Sequence, residues 1–232
     1  MDSNCASCPV RKASFCRAIP DRDLEAFSKK RGVIEFQRRQ TIIVEREPAI
    51  YFFNVISGLV KLLRSLPNGR IQIVGFRQPG EFFGSTVGET YTASAEAITC
   101  STICRFSRSG LEHELRASPR LQTRVLHMSF KQLSASQDQV LILGCMTARE
   151  KVAHFLMDYT CRSFRDNNRP QRWTKLPMNR SEIADFLGLT VETVSRTLSS
   201  LANEEIITVG RTSHSIQVIN PDKLAQAAGA SC

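Results

Sequence analysis

The 232-residue chain has no apolar run that could cross a bilayer. Its longest strictly apolar stretch lies around Val140–Leu143 and is a few residues long, against the ~20 that a spanning helix needs. The opening MDSNCASCPV lacks the apolar core of a secretory signal, so a cytoplasmic protein with no membrane partner is expected. A phosphate-binding glycine loop, a nucleophile elbow and other substrate motifs are absent too, which argues against an enzyme. An iron–sulfur enzyme or electron carrier is the rival that the cysteines leave open. Acidic residues are in short supply: 22 stand against 31 basic ones, a net charge of +9. That favours a polyanionic partner, since Lys and Arg displace counterions from phosphate. The excess does not locate a binding face, because Arg149–Cys232 holds 11 basic and 9 acidic residues and most of the surplus precedes it. Low-complexity and disordered classes are excluded by the 42% hydrophobic content.

What is present divides the chain into four stretches. Residues 1–20 show no periodic apolar pattern, and a short helix is expected over Asp21–Lys30. Short β-rich runs then follow at Arg31–Phe36, Thr41–Val44, Tyr51–Ile56, Leu59–Leu66, Ile71–Phe76 and Thr99–Phe106. Ser57-Gly58, Pro67-Asn68-Gly69 and Pro79-Gly80 punctuate them, the pattern of an antiparallel barrel or roll over residues 21–117. Over residues 118–146 the period becomes helical: Leu126, Phe130, Leu133, Gln137 and Val140 form a heptad-like line. Such a line suits either a buried intramolecular helix or a two-stranded dimer interface. Residues 147–232 carry helices at Ala148–Arg162, Asn179–Leu187 and Thr190–Ala202, a short strand at Trp173–Leu176 and a last hairpin with Arg211 at its tip.

The segment Asn179–Ala202 carries the most specific signal. Asn179 with Glu182 makes a capping box, Gly188 supplies a tight turn, and Thr190 caps the next helix. Val194, Leu198 and Leu201 then share one face, and Glu192, Ser195 and Arg196 share another near the helix N-terminus. That end of a recognition helix enters the major groove of double-stranded DNA. Arg takes guanine O6 and N7 together, Glu accepts from cytosine N4, and Ser serves base or phosphate. The plainer alternative is a surface helix with a Glu192–Arg196 ion pair.

Here the sequence resembles the Crp–Fnr transcription regulators. LGLTVETVSRTLSSL, Leu187–Leu201, is similar to their recognition helix, and the E-x-x-S-R core at Glu192, Ser195 and Arg196 to that of the Fnr and FixK branches. The resemblance covers nearly the whole chain. It implies an α+β fold: an antiparallel β-roll of the cyclic-nucleotide-binding kind, a long dimerisation helix and a C-terminal winged helix-turn-helix. It also implies a homodimer that reads TTGAT-N4-ATCAA palindromes at promoters, with RNA polymerase as partner. Leu126, Leu133, Ser136 and Val140 are the expected dimer residues. Fnr itself has an acidic residue where this chain has Ser136, so less repulsion and a less sharp dimer switch are implied.

Eight cysteines are many for a reducing compartment, where clustered thiols point to metal or redox chemistry. Cys5, Cys8 and Cys16 have C-x2-C-x7-C spacing, and a fourth ligand would complete a zinc site or a [4Fe–4S] cluster. No second C-x2-C pair lies near. The resemblance implies the cluster, held in Fnr proteins by three N-terminal cysteines and one in the β-roll. Ala95–Phe106 is similar to the segment that holds the distant one, which places it at Cys104. Cys100, which strand alternation puts on the same face, is the alternative. FixK-type members without the cluster are the other reading. Cys145 and Cys161 are expected as apolar filler and Cys232 as mobile. A cyclic nucleotide is not expected, since Tyr91-Thr92-Ala93-Ser94 has no Arg to pair its phosphate.

Overall fold

The structure, a computed structural model, describes residues 5–84, 86–165, 173–210 and 215–229, without the side chains of residues 161–165. It divides into two units, Met1–Ser136 and Gln137–Cys232.

In the first unit the strands are β1 (Arg31–Phe36), β2 (Thr41–Ile43), β3 (Tyr51–Ser57), β4 (Val60–Ser65), β5 (Ile71–Arg77), β6 (Phe82–Phe83), β7 (Ser94–Ala97) and β8 (Ser101–Ser107). They form two antiparallel sheets, ordered β1-β8-β3-β6 and β2-β7-β4-β5. Alternation along β3 explains the layers. Phe53 and Val55 point into the roll, where they meet Val60, Phe83, Ala95 and Ile103. Phe52 and Ile56 point the other way and join Phe15, Phe27, Cys104, Phe106, Leu111 and Leu121. The second layer exists because the N-terminal segment and helices cover the outer face of that sheet.

That segment is more ordered than its pattern suggests. Short 3-10 turns occur at Cys5–Ser7, Phe15–Ala18 and Asp21–Asp23, the last leading into α1 (Leu24–Ser28). Turns this short leave no readable period. Strands β6 and β7 and the helix α2 (Arg108–Ala117), capped by Ser107, were not expected either. Helix α3 (Pro119–Cys145) opens on proline, whose missing N–H costs nothing there.

Helix α3 has apolar residues on opposite sides. Leu121 and Met128 are buried, while Leu126, Phe130, Leu133 and Val140 are 53–71% exposed. Ser136 is exposed, and its hydroxyl donates back to Gln132 O at 2.9 Å. The heptad line is therefore on the outside of the single chain, not in its core. Cys145, expected as filler, is exposed at the helix end. It follows the last buried apolar position, Ile142, by three residues and has no core beneath it.

The second unit continues with α4 (Ala148–Arg165), β9 (Thr174–Lys175), α5 (Arg180–Leu187), α6 (Val191–Asn203), β10 (Ile207–Val209), β11 (Ser215–Val218) and α7 (Pro221–Ala227). The strands order as β10-β11-β9. Helix α7, with Asn220 as cap and Pro at its start, was not expected. Arg211, His214 and Cys232, like the polar stretch 166–172, lie outside the described residues, as does the side chain of Cys161. No helix among the described residues is long and apolar enough to cross a membrane.

Candidate functional site

The turn between α5 and α6 is built from local chemistry. Asn179 accepts from Glu182 N while the Glu182 carboxylate accepts from Asn179 N, a complete capping box. Gly188 ends α5 in the left-handed region at φ 62°, which a side chain would strain. Thr190 then caps α6 by accepting from Thr193 N. Buried Ile183, Ala184 and Leu187 lie against the stripe Val194, Leu198 and Leu201, each 2% exposed or less. Fixing that stripe in the core leaves Glu192, Ser195 and Arg196 exposed on the other side.

The Glu192–Arg196 ion pair of the plainer alternative does not form. Among the described residues neither side chain has a hydrogen-bond or ion-pair partner, so both polar heads are free for a ligand. Ser195 and Arg196 open an exposed groove with Ser199, Ser200, Asn203 and Glu204. Ser199 and Asn203 continue the same face at four-residue steps from Ser195, a spacing legible in the sequence. Glu204 closes the groove. Arg149 grips its two carboxylate oxygens at 2.7 and 2.5 Å, and Ser200 adds a bond at 2.9 Å. These bonds pull the Glu204 carboxyl down to about 2.

The second site lies in the first unit. Cys5, Cys8, Cys16 and Cys104 line one cavity with Arg31, Ile56 and Phe106. Cys104 stands on the central strand β8, opposite Val33 of β1 and Asn54 of β3. Cys100 precedes β8, is exposed, and lies 3.6 Å from Gln37 Oε1, off the cavity. Strand alternation did not apply to it because it sits outside the strand.

The three N-terminal cysteines are held over the sheet by specific contacts. Phe15 is 2% exposed and meets Phe82 and Phe106 edge-on at centroid distances of 6.4 and 5.6 Å. Gly80, at φ 89°, lets the segment approach closely: a Cβ there would stand 2.7 Å from Ala13 Cβ. Arg124 on α3 donates to Ala13 O at 2.9 Å and to Ser14 O at 3.4 Å. Arg31 donates through Nε to Cys5 Sγ at 3.0 Å and through Nη1 to Cys104 Sγ at 3.8 Å. Neither arginine was marked in the sequence, where each is one of many in a basic chain.

Four soft thiols are the donor chemistry that a [4Fe–4S] cluster takes. The space between the thiols is about 10 Å³, room for one water. Among the described residues no three His, Cys, Asp or Glu side chains converge closely enough to hold one metal ion. A lone zinc would need all its sulfurs about 2.3 Å from one point. Thiolates on a four-iron cluster each take a separate iron, so they surround a volume, and soft donors in an apolar lining suit it.

Burial pushes the Cys16 thiol up to about 12, and the Cys104 thiol up to about 11 against the pull of Arg31. Since the thiolate is the nucleophile, iodoacetamide at neutral pH should label exposed Cys100 and Cys145 in the apo protein well before Cys16 and Cys104. Peptide mass spectrometry reads the order, and equal labelling of Cys104 and Cys100 would contradict a closed cavity. The same shifts set a pH trend. Thiols of the unfolded chain ionise near 9 and the buried pair only near 11–12, so the apo fold should lose stability as pH rises through that window.

Phe53, Phe83 and Tyr91 pack in the interior of the roll. Phe53 and Phe83 stack at 5.2 Å, and the Tyr91 hydroxyl donates to Tyr51 O at 3.0 Å while accepting from Tyr51 N at 3.1 Å.

A capped helix pair with a free polar face, a three-stranded wing and a separate β-roll define a DNA-binding transcription regulator rather than an enzyme. Comparison with known proteins agrees. The family described as Crp-like helix-turn-helix domain matches residues 150–227, and that described as Cyclic nucleotide-binding domain matches residues 33–118. The chain is 35% identical to the transcriptional activatory protein AadR of Rhodopseudomonas palustris, over 96% of this chain and 92% of that one. It is 34% identical to the nitrogen fixation regulation protein FixK of Bradyrhizobium diazoefficiens, over 88% of this chain and 86% of that one. The solved structure of FixK2 from Bradyrhizobium japonicum superposes with a TM-score of 0.79 at 32% identity, covering 87% of this chain and 99% of that chain. The chain belongs to the Crp–Fnr family of transcription regulators.

Proposed function

We propose that this chain is an oxygen-responsive transcription activator. It acts as a homodimer on TTGAT-N4-ATCAA-like sites, which it reads through Glu192, Ser195 and Arg196, with RNA polymerase as its partner at the promoter. Cys5, Cys8, Cys16 and Cys104 hold a [4Fe–4S] cluster that controls it. The observation that carries this reading is the convergence of those four cysteines, distant in sequence, on one cavity. Its relatives AadR and FixK, named as an activator and as a nitrogen fixation regulator, support activation and a role in nitrogen fixation.

When bound, the cluster supplies lability to oxygen. The chain supplies the coupling. Three of the four thiols stand on the N-terminal segment, so filling their cavity bears on how that segment seats on the roll. That segment is bonded through Ala13 and Ser14 to Arg124, two positions before Leu126 on α3. The exposed line Leu126, Phe130, Leu133 and Val140 is the dimer face, with Ser136 within it. A change in how the cysteine segment seats therefore reaches the helix that pairs with its partner. Ligand binding that favours one arrangement stabilises it by its differential affinity. No cyclic nucleotide enters this reading. The packing of Phe53, Phe83 and Tyr91 inside the roll and the use of Tyr91 in backbone bonding support its exclusion.

The test is an anaerobic absorption spectrum with an iron and sulfide assay on reconstituted protein. The reading predicts about four irons and about four sulfides per chain. Protein without either would be a cluster-free FixK-type regulator, governed by expression level or thiol oxidation.

A further inference from the structure

We infer that Arg31 is the fixed cation of the cysteine centre: it bridges the Cys5 and Cys104 sulfurs and offsets the negative charge of the loaded site. The inference rests on the cluster reading above and adds a residue to it. Arg31 opens β1 and pairs with Phe106 across the ladder to β8, so it shares a face with Cys104 two residues along. Its Nε reaches Cys5 Sγ at 3.0 Å and its Nη1 reaches Cys104 Sγ at 3.8 Å. It thus joins one sulfur of the N-terminal segment to the sulfur on the roll. The rest of the lining besides the thiols, Ile56 and Phe106, is apolar.

Charge decides what such a residue does. Four thiolates outweigh the charge of a four-iron core, so the loaded site is an anion in a low-dielectric pocket, where a nearby cation counts for far more than in water. A guanidinium stays charged at every relevant pH and presents a planar fork that can serve two sulfurs at once. An ammonium is a point charge and serves one. Hydrogen bonds to the sulfurs and net charge are two of the factors that set an iron–sulfur potential. Groups behind the ligands of a metal site are typically worth 10–100-fold in affinity. Arg31 is a positioning residue here, since its own atoms ligate nothing.

The experiment compares wild type, Arg31→Met and Arg31→Lys after anaerobic reconstitution. It reads iron and sulfide per chain, the rate of iron transfer to a chelator without oxygen, and the midpoint potential. Arg31→Met should hold iron about 10–100-fold less tightly and shift the potential to more negative values. Arg31→Lys should return the potential towards wild type but release iron faster than wild type, because the charge is restored and the fork is not. Melting curves of the apo proteins separate these effects from misfolding, and if Arg31→Met does not fold, Arg31→Lys carries the test through its faster iron release. Loaded wild type with unchanged iron transfer and potential in both variants would overturn the role of Arg31 alone. Wild type that takes up no iron would overturn the cluster reading and this inference with it.

Discussion

Replacing Arg196 with alanine should weaken binding to a TTGAT-N4-ATCAA duplex by roughly 1–3 kcal/mol per half-site, with both half-sites of a dimer affected. Arg196 is exposed in the first turns of α6 and has no side-chain partner among the described residues. The helix that presents it is rigid for local reasons: Thr190 caps its start, and Val194, Leu198 and Leu201 are buried beneath it. Truncating the side chain therefore removes a contact and leaves the scaffold in place. The loss should fall on specific binding. Affinity for random DNA, which comes from phosphate contacts and depends steeply on salt, should change little. Fluorescence anisotropy on the palindrome, on the palindrome with its guanines replaced, and on random duplex separates the two. The variant should no longer distinguish the first two. Equal losses on all three would remove Arg196 from base reading and make it a phosphate contact.

The helix-turn-helix was the most legible part of the sequence, because its signals are local. Asn179, Glu182, Gly188 and Thr190 act within a few residues of themselves, and each occupies the backbone position its chemistry requires. The longer strands of the roll were legible through alternation and turn residues. Strand β6 is two residues long and β7 four, too short for a period to show. The N-terminal segment was opaque for another reason: its order comes from tertiary contacts. Phe15 on Phe82 and Phe106, and Arg124 on Ala13 and Ser14, join residues far apart in the chain. Spacing picked out Cys5, Cys8 and Cys16, and the family resemblance picked out Cys104. Nothing in the spacing marked Arg31, whose place beside the thiols follows from strand register. For the heptad line on α3, periodicity left two readings equal, and exposure in the single chain speaks against the buried intramolecular helix and leaves the dimer face as the proposal.

The second large effect concerns oxygen and joins the two sites. If the cysteine segment controls α3, then anaerobic reconstituted protein exposed to air, and Cys104→Ala protein that was never loaded, should behave alike. Both leave the segment with apo contacts such as Phe15 on the sheet, Gly80 beneath Ala13, Arg124 on the backbone and Arg31 on Cys5. Those contacts are weak beside four metal–thiolate bonds. A marginal dimer face is tipped by a few kcal/mol: moving a two-state equilibrium from 1:99 to 99:1 takes about 5.5 kcal/mol of differential binding in all. The exposed line of Leu126, Phe130, Leu133 and Val140, the proposed dimer face, is interrupted by the polar Ser136 and Gln137. Ser136 brings no charge repulsion, so a residual dimer should persist without the cluster and the response should be graded. The direct measurement is sedimentation together with DNA binding on one anaerobic preparation, before and after air, beside Cys104→Ala. The account predicts a mainly dimeric protein with tight palindrome binding before air. After air, and in Cys104→Ala, it predicts a shift towards monomer and weaker binding. Binding as tight in air and in Cys104→Ala as in the anaerobic protein would contradict control by the cysteine centre.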